Sequence, residues 1–462
     1  MPPAQKRQIL LGKLLKASPL DDPAAFVLLW TYFTEIGLRE VENNFVLRNY
    51  IPQTIDPYPL SSNDASYDAD RARTWLAKKR NDSDFNSSAI AWLKGLDRLL
   101  SAQRGTFEHR LYGGFDDGEY RICAMKNAIA EFFVGVERQP DDELQSHDEQ
   151  SARKVATAAN LSLSLSAYCS RFRVVRAGDV RGRHIEFRRE SAWADPSVHD
   201  RLYDSRRDLR FLCWPTRSKL VVEPLPQSAP TEESDRRQFV RVTVAAERRL
   251  RHEELTHAVA AAEHEGATVL ILPELSTTND DIVHLAELLR ERDYRLHPLL
   301  TIAGLEHRND GELDLNEAVV LGPDGEELHR HQKMCRYADD ACVEHNRIGE
   351  SVAILESRIG NVCILICRDL FHPEVQALVE SSHATVLFVP SLSPETGPHL
   401  DAAKRLMVLN GAATLVSNRW MTEPDAGRNE TFSLLPGKSG DGKTTLCKTI
   451  PEGADYLLTA VE

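Results

Sequence analysis

The stretch that decides the fold is Gly360–Glu374, which reads GNVCILICRDLFHPE. Its apolar run has the length of a buried strand, and the Pro-Glu pair at 373–374 that follows is typical of a helix start. Functional groups in α/β sheets lie where buried strands end, and Cys367 occupies that position. We predict that its thiol faces a helix N-terminus, where partial positive charge favours the thiolate and free backbone N–H groups can hold an oxyanion.

Two other segments bring charged residues to the end of a strand. In TVLILPELS, residues 268–276, Glu274 follows an aliphatic run, and an apolar setting would raise the pKa of its carboxyl toward that of a general base. In GPDGEELHRHQK, residues 322–333, a turn and a short basic strand lead to Lys333. An ammonium beside a nucleophilic cysteine would stabilise the negative charge of a tetrahedral intermediate.

In this order, the three motifs resemble those of the nitrilase superfamily of carbon–nitrogen hydrolases, whose catalytic triad is Glu, Lys and Cys. The resemblance implies catalytic roles for Glu274, Lys333 and Cys367. It also implies a further glutamate, ahead of a glycine, that orients the lysine. Glu344 fits this position, and Glu350 is the alternative. Oxyanion or substrate contacts are expected from three residues near or after the cysteine, namely Arg368, Asp369 and Ser391.

The resemblance implies an α/β fold, in the form of a nitrilase-like four-layer α-β-β-α sandwich. It implies a thiol hydrolase that cleaves a non-peptide C–N bond, an amide rather than a nitrile, through a thioester, with no metal and no cofactor. Arg368 stands where many hydrolytic members carry a neutral residue, so the substrate stays open. Two alternatives stay open as well: a regulatory or effector protein with a gated or inactive module, and an N-acyltransferase that uses the same triad. Members of the family usually dimerise, so a homo-oligomer is expected.

Upstream of this domain the patterns are mostly helical, so we expect a helix-rich domain of unknown role at 1–204 before the nitrilase-like domain at 205–462. Helical spacing of apolar residues covers segments near 23–46, 86–103, 118–135 and 148–168. In the second domain, RFLCW or KLVVE is expected to supply the first strand. QFVRVTVAA, a helix that ends at Gly266 and TVLILPE are expected to form a β-α-β unit.

The composition of the chain disfavours several classes of function. The 70 acidic residues outnumber the 56 basic ones, and a formal net charge of -14 disfavours nucleic acid and anionic membranes as partners. No stretch approaches the roughly 18 apolar residues that cross a bilayer. Eight cysteines without framework spacing favour a reducing compartment, so a cytoplasmic protein is expected.

Three further patterns are discounted. GKSGDGKT at 437–444 matches a phosphate-loop pattern, but no long helix can follow it, and a hairpin turn is the better interpretation. The arginine-rich segment 171–190 reads as a solvated hairpin, with an anion or partner site as the alternative. A group of histidines and cysteines is the most credible zinc-site rival, but its spacing matches no standard finger, and we predict no metal there. Its members are His329, His331, Cys335, Cys342 and His345.

Overall fold

The computed structural model describes residues 22–36, 120–124, 172–176, 178–180 and 183–188, most of 209–461, and the single positions 5, 9, 89, 93 and 96. The gaps within 209–461 are 218, 226–236, 246, 292–297, 340, 358–359, 383, 411, 420–429, 437–444 and 452–453. The chain forms two compact units, one of residues 1–126 and 136–177 and the other of residues 127–135 and 178–462.

The described part of the first unit contains a helix, a strand pair and the single helical positions 5, 9, 89, 93 and 96, of which the last three lie in the helix predicted near 86–103. Helix α1 (Asp22–Ile36) is rich in aliphatic and aromatic residues, and strands β1 (Tyr120–Ala124) and β2 (Phe172–Arg176) pair antiparallel. The helix predicted over 118–135 is therefore wrong at 120–124, because the β-forming side chains of YRICA find a partner in FRVVR. These elements do not confirm a mainly helical N-terminal domain, and the boundary at 204/205 stays a prediction.

The second unit holds most of the described elements. In chain order these are β3 (Gly178–Val180), β4 (Arg183–Arg188), β5 (Leu209–Cys213), β6 (Leu220–Pro224), β7 (Gln238–Val244), α2 (Arg248–Glu265), β8 (Val269–Ile271), α3 (Asn279–Arg290), β9 (Leu300–Gly304), β10 (Arg308–Asn309), β11 (Asp314–Leu315), β12 (Glu317–Leu321), β13 (Glu327–Gln332), β14 (Cys342–Glu344), β15 (Ser351–Ser357), β16 (Gly360–Ile364), a 3-10 turn (Cys367–Leu370), α4 (Pro373–Ser382), β17 (Val386–Ser391), α5 (Gly397–Asn410), β18 (Ala413–Asn418), β19 (Phe432–Pro436), β20 (Thr445–Thr449) and β21 (Leu457–Val461).

Six strands form one large sheet in the order β13-β12-β9-β8-β5-β21. Its centre is parallel, because β8 pairs in parallel with both β5 and β9. The described side chains of these central strands are almost all buried, as expected of a strand covered on both faces. Of the two segments considered for the first strand, RFLCW supplies it.

Eight strands form the other large sheet in the order β20-β19-β18-β17-β16-β15-β4-β3. Strand β4 runs parallel to β15, and Ile185 lies opposite Val352. The hairpin β3–β4 comes from the arginine-rich segment and therefore extends this sheet at one edge. The sheet thus uses residues that lie far upstream of the motifs.

The two large sheets pack face to face between layers of helices. Phe211 of one sheet and Phe388 of the other lie 5.9 Å apart between ring centroids in the shared core. Buried residues of α2 and α3 cover the outer face of the six-stranded sheet, and those of α4 and α5 cover the outer face of the eight-stranded sheet. The second unit is therefore an α/β structure with one buried core between its large sheets and a further core under each pair of helices.

A small third sheet has the order β14-β7-β6 and corrects one prediction. The β-α-β unit is wrong, because β7 pairs with β6 and β14, whereas the parallel neighbours of β8 are β5 and β9. The burial patterns of β7 and β5 explain which of them pairs with β8. Half-buried and buried residues alternate along the middle of strand β7, while β5 is buried at four of its five positions and suits the centre of a covered sheet.

Candidate active site

The three residues of the predicted triad follow strands of both large sheets. Glu274 lies three residues after β8, and Lys333 directly follows β13 in the same sheet. Cys367 lies three residues after β16 of the other sheet and begins the 3-10 turn. All three side chains are buried, with residue exposures of 1%, 1% and 4%.

Lys333 is held between two carboxylates. Its Nζ donates to Glu274 Oε1 at 2.7 Å and to Glu344 Oε1 and Oε2 at 2.9 and 2.8 Å. Asn316 donates from Nδ2 to Glu274 Oε1 at 2.9 Å, and the Tyr337 backbone N–H donates to Glu344 Oε2 at 2.7 Å. The ammonium therefore has three short carboxylate contacts in a site without exposed surface, where charge-assisted hydrogen bonds are strong.

The two glutamates differ in their ionisation. Burial raises the pKa of Glu274, although the nearby Lys333 opposes the shift. Burial would also raise the pKa of Glu344, but the charge of Lys333 and a hydrogen bond from His307 lower it to about 2. Burial by itself would lower the pKa of Lys333, yet the two carboxylates and Cys367 raise it well above its ordinary value. At neutral pH Glu344 is thus an anion and Lys333 a cation, whereas Glu274 is the group suited to exchange a proton.

Cys367 and Glu274 both contact the backbone of Leu392. Its Sγ lies 3.6 Å from the carbonyl oxygen of Leu392, whose N–H donates to Glu274 Oε2 at 3.1 Å. Burial and the charge of Glu274 raise the pKa of the thiol to about 12, against the effect of Lys333. The predicted thiolate at a helix N-terminus is not what the structure has, because α4 begins only at Pro373 and burial dominates. The resting thiol is therefore protonated and needs a base.

Strained backbone lies beside two of these residues. In the described part of the chain, the non-glycine residues with positive φ are Leu275, at 54°, and Cys367, at 46°. Such conformations cost about 1–3 kcal/mol each and persist where the surrounding structure enforces them. Gly304 allows a close approach to the backbone of Glu274, because a Cβ there would collide with the Pro273 carbonyl oxygen. The strain and the close packing fix the directions of both side chains.

The three predicted oxyanion or substrate residues lie around the cysteine. Arg368 donates from Nη1 to the Ala338 carbonyl oxygen at 3.3 Å and is partly exposed. The buried Ser391 lies 3.3 Å from His399 Nε2, and its hydroxyl acts on the pKa of Cys367 through a hydrogen bond. Both ends of the Asp369 carboxylate are occupied within the protein, so its observed contacts are internal. It accepts from Met334 N at 3.0 Å and Ile366 N at 3.2 Å and lies 3.3 Å from His331 Nε2.

Some residues of the site were not found from the sequence. Asn316 bonds Glu274, and the buried His307 lies 3.5 Å from Glu344. Arg183 of β4 donates to the Met334 carbonyl oxygen at 3.1 Å, next to Lys333. No local pattern marks these residues, because each acts on a partner that is remote in sequence. Glu350, the alternative to Glu344, is exposed and lies outside the carboxylate cluster.

The other patterns have separate positions. Among the described residues, no group of three or more His, Cys, Asp or Glu side chains is arranged to hold a metal. Within the zinc-site candidates, His331 faces Asp369, and His345 lies 3.5 Å from Asp314. The phosphate-loop pattern at 437–444 lies outside the described residues. In the portion of the chain that could be searched, no helix is long and apolar enough to cross a membrane.

A surface pocket of about 580 Å³ lies between α2 and α3. Its lining includes His252 and His284, whose rings stack at 3.9 Å, and none of the triad residues. Two arginines at the pocket are each paired with an acid, Arg249 with Glu253 and Arg248 more loosely with Asp280. Both arginines at the pocket therefore have acidic partners.

Residues 237–420 match the family model described as carbon-nitrogen hydrolase. The C-terminal half therefore contains a carbon–nitrogen hydrolase domain. The match covers about two fifths of the 462 residues and includes Glu274, Lys333 and Cys367. The nitrilase-superfamily resemblance of this half is confirmed, and its α/β architecture agrees with it.

Solved structures similar to this domain include amidases. An amidase from Nesterenkonia sp. is 18% identical, with 55% of this chain and 89% of that chain covered and a TM-score of 0.38. A cysteine-to-alanine mutant of the Nesterenkonia AN1 amidase, named as a nitrilase-superfamily member, is 16% identical, with coverages of 55% and 90% and a TM-score of 0.39. At these scores the likeness carries no argument about this chain. No curated protein sequence matches it.

Proposed function

We propose that the domain hydrolyses a non-peptide C–N bond through a Glu274–Lys333–Cys367 triad, with Glu344 as the residue that orients the lysine. One observation carries the proposal: Lys333 bonds both carboxylates, while the second oxygen of Glu274 and the sulfur of Cys367 both meet Leu392. This arrangement supplies a nucleophile, a base and a fixed cation in one buried place.

The reaction starts from the protonated thiol. Glu274 Oε2 takes the proton of Cys367 as the sulfur attacks the carbonyl carbon, and a C–S bond forms. The charge that develops on the carbonyl oxygen is stabilised by the Lys333 ammonium and the backbone N–H of Arg368. Glu274 then gives its proton to the leaving amine as the C–N bond breaks, which leaves a thioester. Glu274 next takes a proton from water as the hydroxyl attacks the thioester carbon and forms a C–O bond. The C–S bond then breaks, the proton on Glu274 passes to the sulfur, and a carboxylic acid leaves.

An amide is the proposed substrate, and the site holds a proton donor for its leaving amine. The leaving amine of an amide needs a proton in the acylation step, and Glu274 is the carboxyl whose raised pKa allows it to hold one. Glu344, with a pKa of about 2, cannot take that role. The division of labour between the two glutamates therefore leaves Glu274 as both the acid and the base that cleavage of an amide needs.

The substrate is expected to contact Arg368, Asp369 or Ser391. Arg368 is the best placed, since it is partly exposed and its guanidinium has a single hydrogen bond, to Ala338, among the described residues. Ser391 acts on the sulfur, and Asp369 acts on the backbone around Lys333 and Cys367. We expect a small-molecule amide, a chain that works as a homo-oligomer, and a reducing cytoplasmic setting that keeps the thiol free.

A second candidate function, that of a gated module, has one observation in its favour. Only 4% of Cys367 is exposed, so a substrate needs an opening before it can reach the sulfur. A gated module would show little turnover by itself and a large gain when the opening is favoured. The acyltransferase alternative would show amide formation when an amine competes with water for the thioester.

Release of ammonia or amine from a panel of primary amides, secondary amides and nitriles tests the proposal. We expect Cys367→Ala to lower turnover by about 10⁴-fold or more. Cys363→Ala is the matched control, because Cys363 is buried, lies four residues earlier and belongs to the core beside α4 and α5. It should keep activity within a few-fold. Absence of turnover across the panel, with and without an added amine, would count against an active enzyme.

A further inference from the structure

A buried histidine outside the proposed triad lies against its charged cluster. The His307 side chain has 0% exposure, and its Nε2 lies 3.5 Å from Glu344 Oε1. On its other side the ring meets strand β7 of the small sheet. The backbone N–H of Val242 donates to His307 Nδ1 at 3.0 Å, and the backbone N–H of His307 donates to the Val242 carbonyl oxygen at 3.0 Å.

These contacts define the tautomer of the ring. A backbone N–H can only donate, so Nδ1 must accept and carries no proton. The proton of the neutral imidazole is therefore on Nε2, which is the nitrogen that faces Glu344. A ring held in this way is a hydrogen-bond donor toward the carboxylate. Strand β7 thus sets the direction of a donor, His307, that lies 65 residues after Val242 in the chain.

Asn316 is the one neighbour that complicates this assignment. Its Nδ2 lies 3.3 Å from His307 Nε2, but it also donates to Glu274 at 2.9 Å and lies 3.4 Å from Glu344 Oε1. The amide has two N–H groups, and the two carboxylates are the better acceptors for them. His307 therefore does not need to accept from Asn316, and its Nε2–H stays directed to Glu344.

We propose that His307 is a positioning residue for Lys333. Its Nε2–H donates to Glu344 and so fixes the carboxylate that holds the Lys333 ammonium. The backbone of Val242 in β7 in turn fixes the imidazole ring. The inference rests on the proposed function, in which Lys333 stabilises the developing charge. It gives the small sheet a role, because β14 carries Glu344 and β7 orients the residue that bonds it. The paired strands and the histidine hold Glu344 from two sides.

The expected size of the effect follows from the kind of bond. A hydrogen bond to a charged group and an error of about 1 Å in a catalytic group each change rates by about 10- to 100-fold. Loss of the His307 donor should therefore lower kcat by about 10- to 100-fold. The KM should change by less than about twofold, because Lys333 acts on the charge that develops in the reaction rather than on the bound amide.

Two substitutions separate positioning from a structural role. The amide of His307→Gln reaches the place of Nε2 and can donate to Glu344, whereas that of His307→Asn reaches only the place of Nδ1 and can accept from Val242. We expect His307→Gln to keep kcat within about threefold and His307→Asn to lose about 10- to 100-fold in kcat. If the ring merely anchors β7, the order is reversed, and that order would overturn the proposal.

Nitrogen NMR of the full-length protein, with labelled histidines, tests the same inference without any substrate. The signals that disappear in His307→Gln belong to His307, and at neutral pH they should show a bare Nδ1 and a protonated Nε2. A bare Nε2 would overturn the proposal. A wild-type protein that turns over no amide but shows the expected tautomer would count against the proposed function alone.

Discussion

The two large sheets supply different halves of the proposed site. The six-stranded sheet brings Glu274 and Lys333, and the Lys333 ammonium donates both to Glu274 and to Glu344. The eight-stranded sheet brings Cys367, which has a strained backbone and whose sulfur has only weak hydrogen-bond partners among the described residues, namely the Leu392 carbonyl oxygen and the Ser391 hydroxyl. Charge-assisted hydrogen bonds fix the side chains from the six-stranded sheet, whereas backbone geometry fixes Cys367 of the eight-stranded sheet.

This difference indicates how the site divides its tasks. Charged groups that must stay in place during a reaction need several partners, since a buried charge without them is costly. A nucleophile must change its bonding partner, and a sulfur with few contacts can do so at little cost. Asp369 connects the halves, because it follows Cys367 in the turn and accepts from the backbone N–H of Met334, next to Lys333.

Removal of the central cation should have the largest effect on the charged half. Lys333→Met leaves Glu274 and Glu344 buried without their partner, and we expect a loss of about 3–5 kcal/mol in the free energy of unfolding. Chemical denaturation measures it. Lys404→Met is the control, because that lysine is exposed and its 3.8 Å pair with Asp401 should contribute at most about 1 kcal/mol. Equal stability of both variants would contradict the electrostatic account of this half.

The acid dependence of stability should show the next largest effect. The folded pKa of Glu344 is about 2, below the unfolded value of about 4.3, so its contribution is present above pH 4.3 and is lost as the pH falls toward 2. We expect Glu344→Gln to be about 3 kcal/mol less stable than the wild type at pH 7. Urea denaturation at pH 7, 4 and 3 should show this difference shrinking. The raised pKa of Glu274 acts in the opposite direction in both proteins, so a difference that is independent of pH would argue against an ionised Glu344.

Substitution of the connecting residue should have an intermediate effect. In Asp369→Asn a single carbonyl oxygen replaces two acceptors, so either Met334 N or Ile366 N loses its partner. We expect a loss of about 2 kcal/mol in stability together with lower turnover, because both halves of the site shift. Denaturation and kcat measure the two consequences. Asp310→Asn, at an exposed surface pair with Arg347, should change neither.

The smallest effect should come from the edge hairpin. Arg183 of β4 donates to the Met334 carbonyl oxygen at 3.1 Å, and its side chain is 17% exposed. Arg183→Met should lower stability by about 1 kcal/mol and kcat by a few-fold, because the backbone after Lys333 loses a support. Arg217→Met, at an exposed pair with Asp455, is the control. Identical kinetics in both variants would show that this hairpin does not support the site.

The sequence predicted the chemical groups better than it predicted their surroundings. Glu274, Lys333 and Cys367 could be proposed because each belongs to a local motif at a strand end, and Glu344, proposed to orient the lysine, accepts a hydrogen bond from Lys333. Their roles stay predictions until turnover is measured. His307 could not be found, because its contacts join residues 65 positions apart, and such pairings leave no local pattern.

Sheet membership was harder to predict than strand formation. The strand QFVRVTV was predicted, yet it belongs to the small sheet, because strand pairing is decided by partners remote in sequence rather than by the strand itself. The segment YRICA was predicted as helix for the same reason, since its partner FRVVR lies about fifty residues further on. The protonated resting state of Cys367 also depends on burial, which the local helix-start pattern does not report.

The central claim is that Cys367 carries the acyl group of the substrate. Wild-type protein mixed with a substrate amide, quenched with acid during turnover and digested, can be analysed by mass spectrometry for the acylated peptide. We predict a thioester on the peptide that contains Cys367, formed and lost at rates that account for kcat, and no adduct in Cys367→Ala. Turnover with the acyl group on another cysteine, or turnover that persists in Cys367→Ala, would contradict the account.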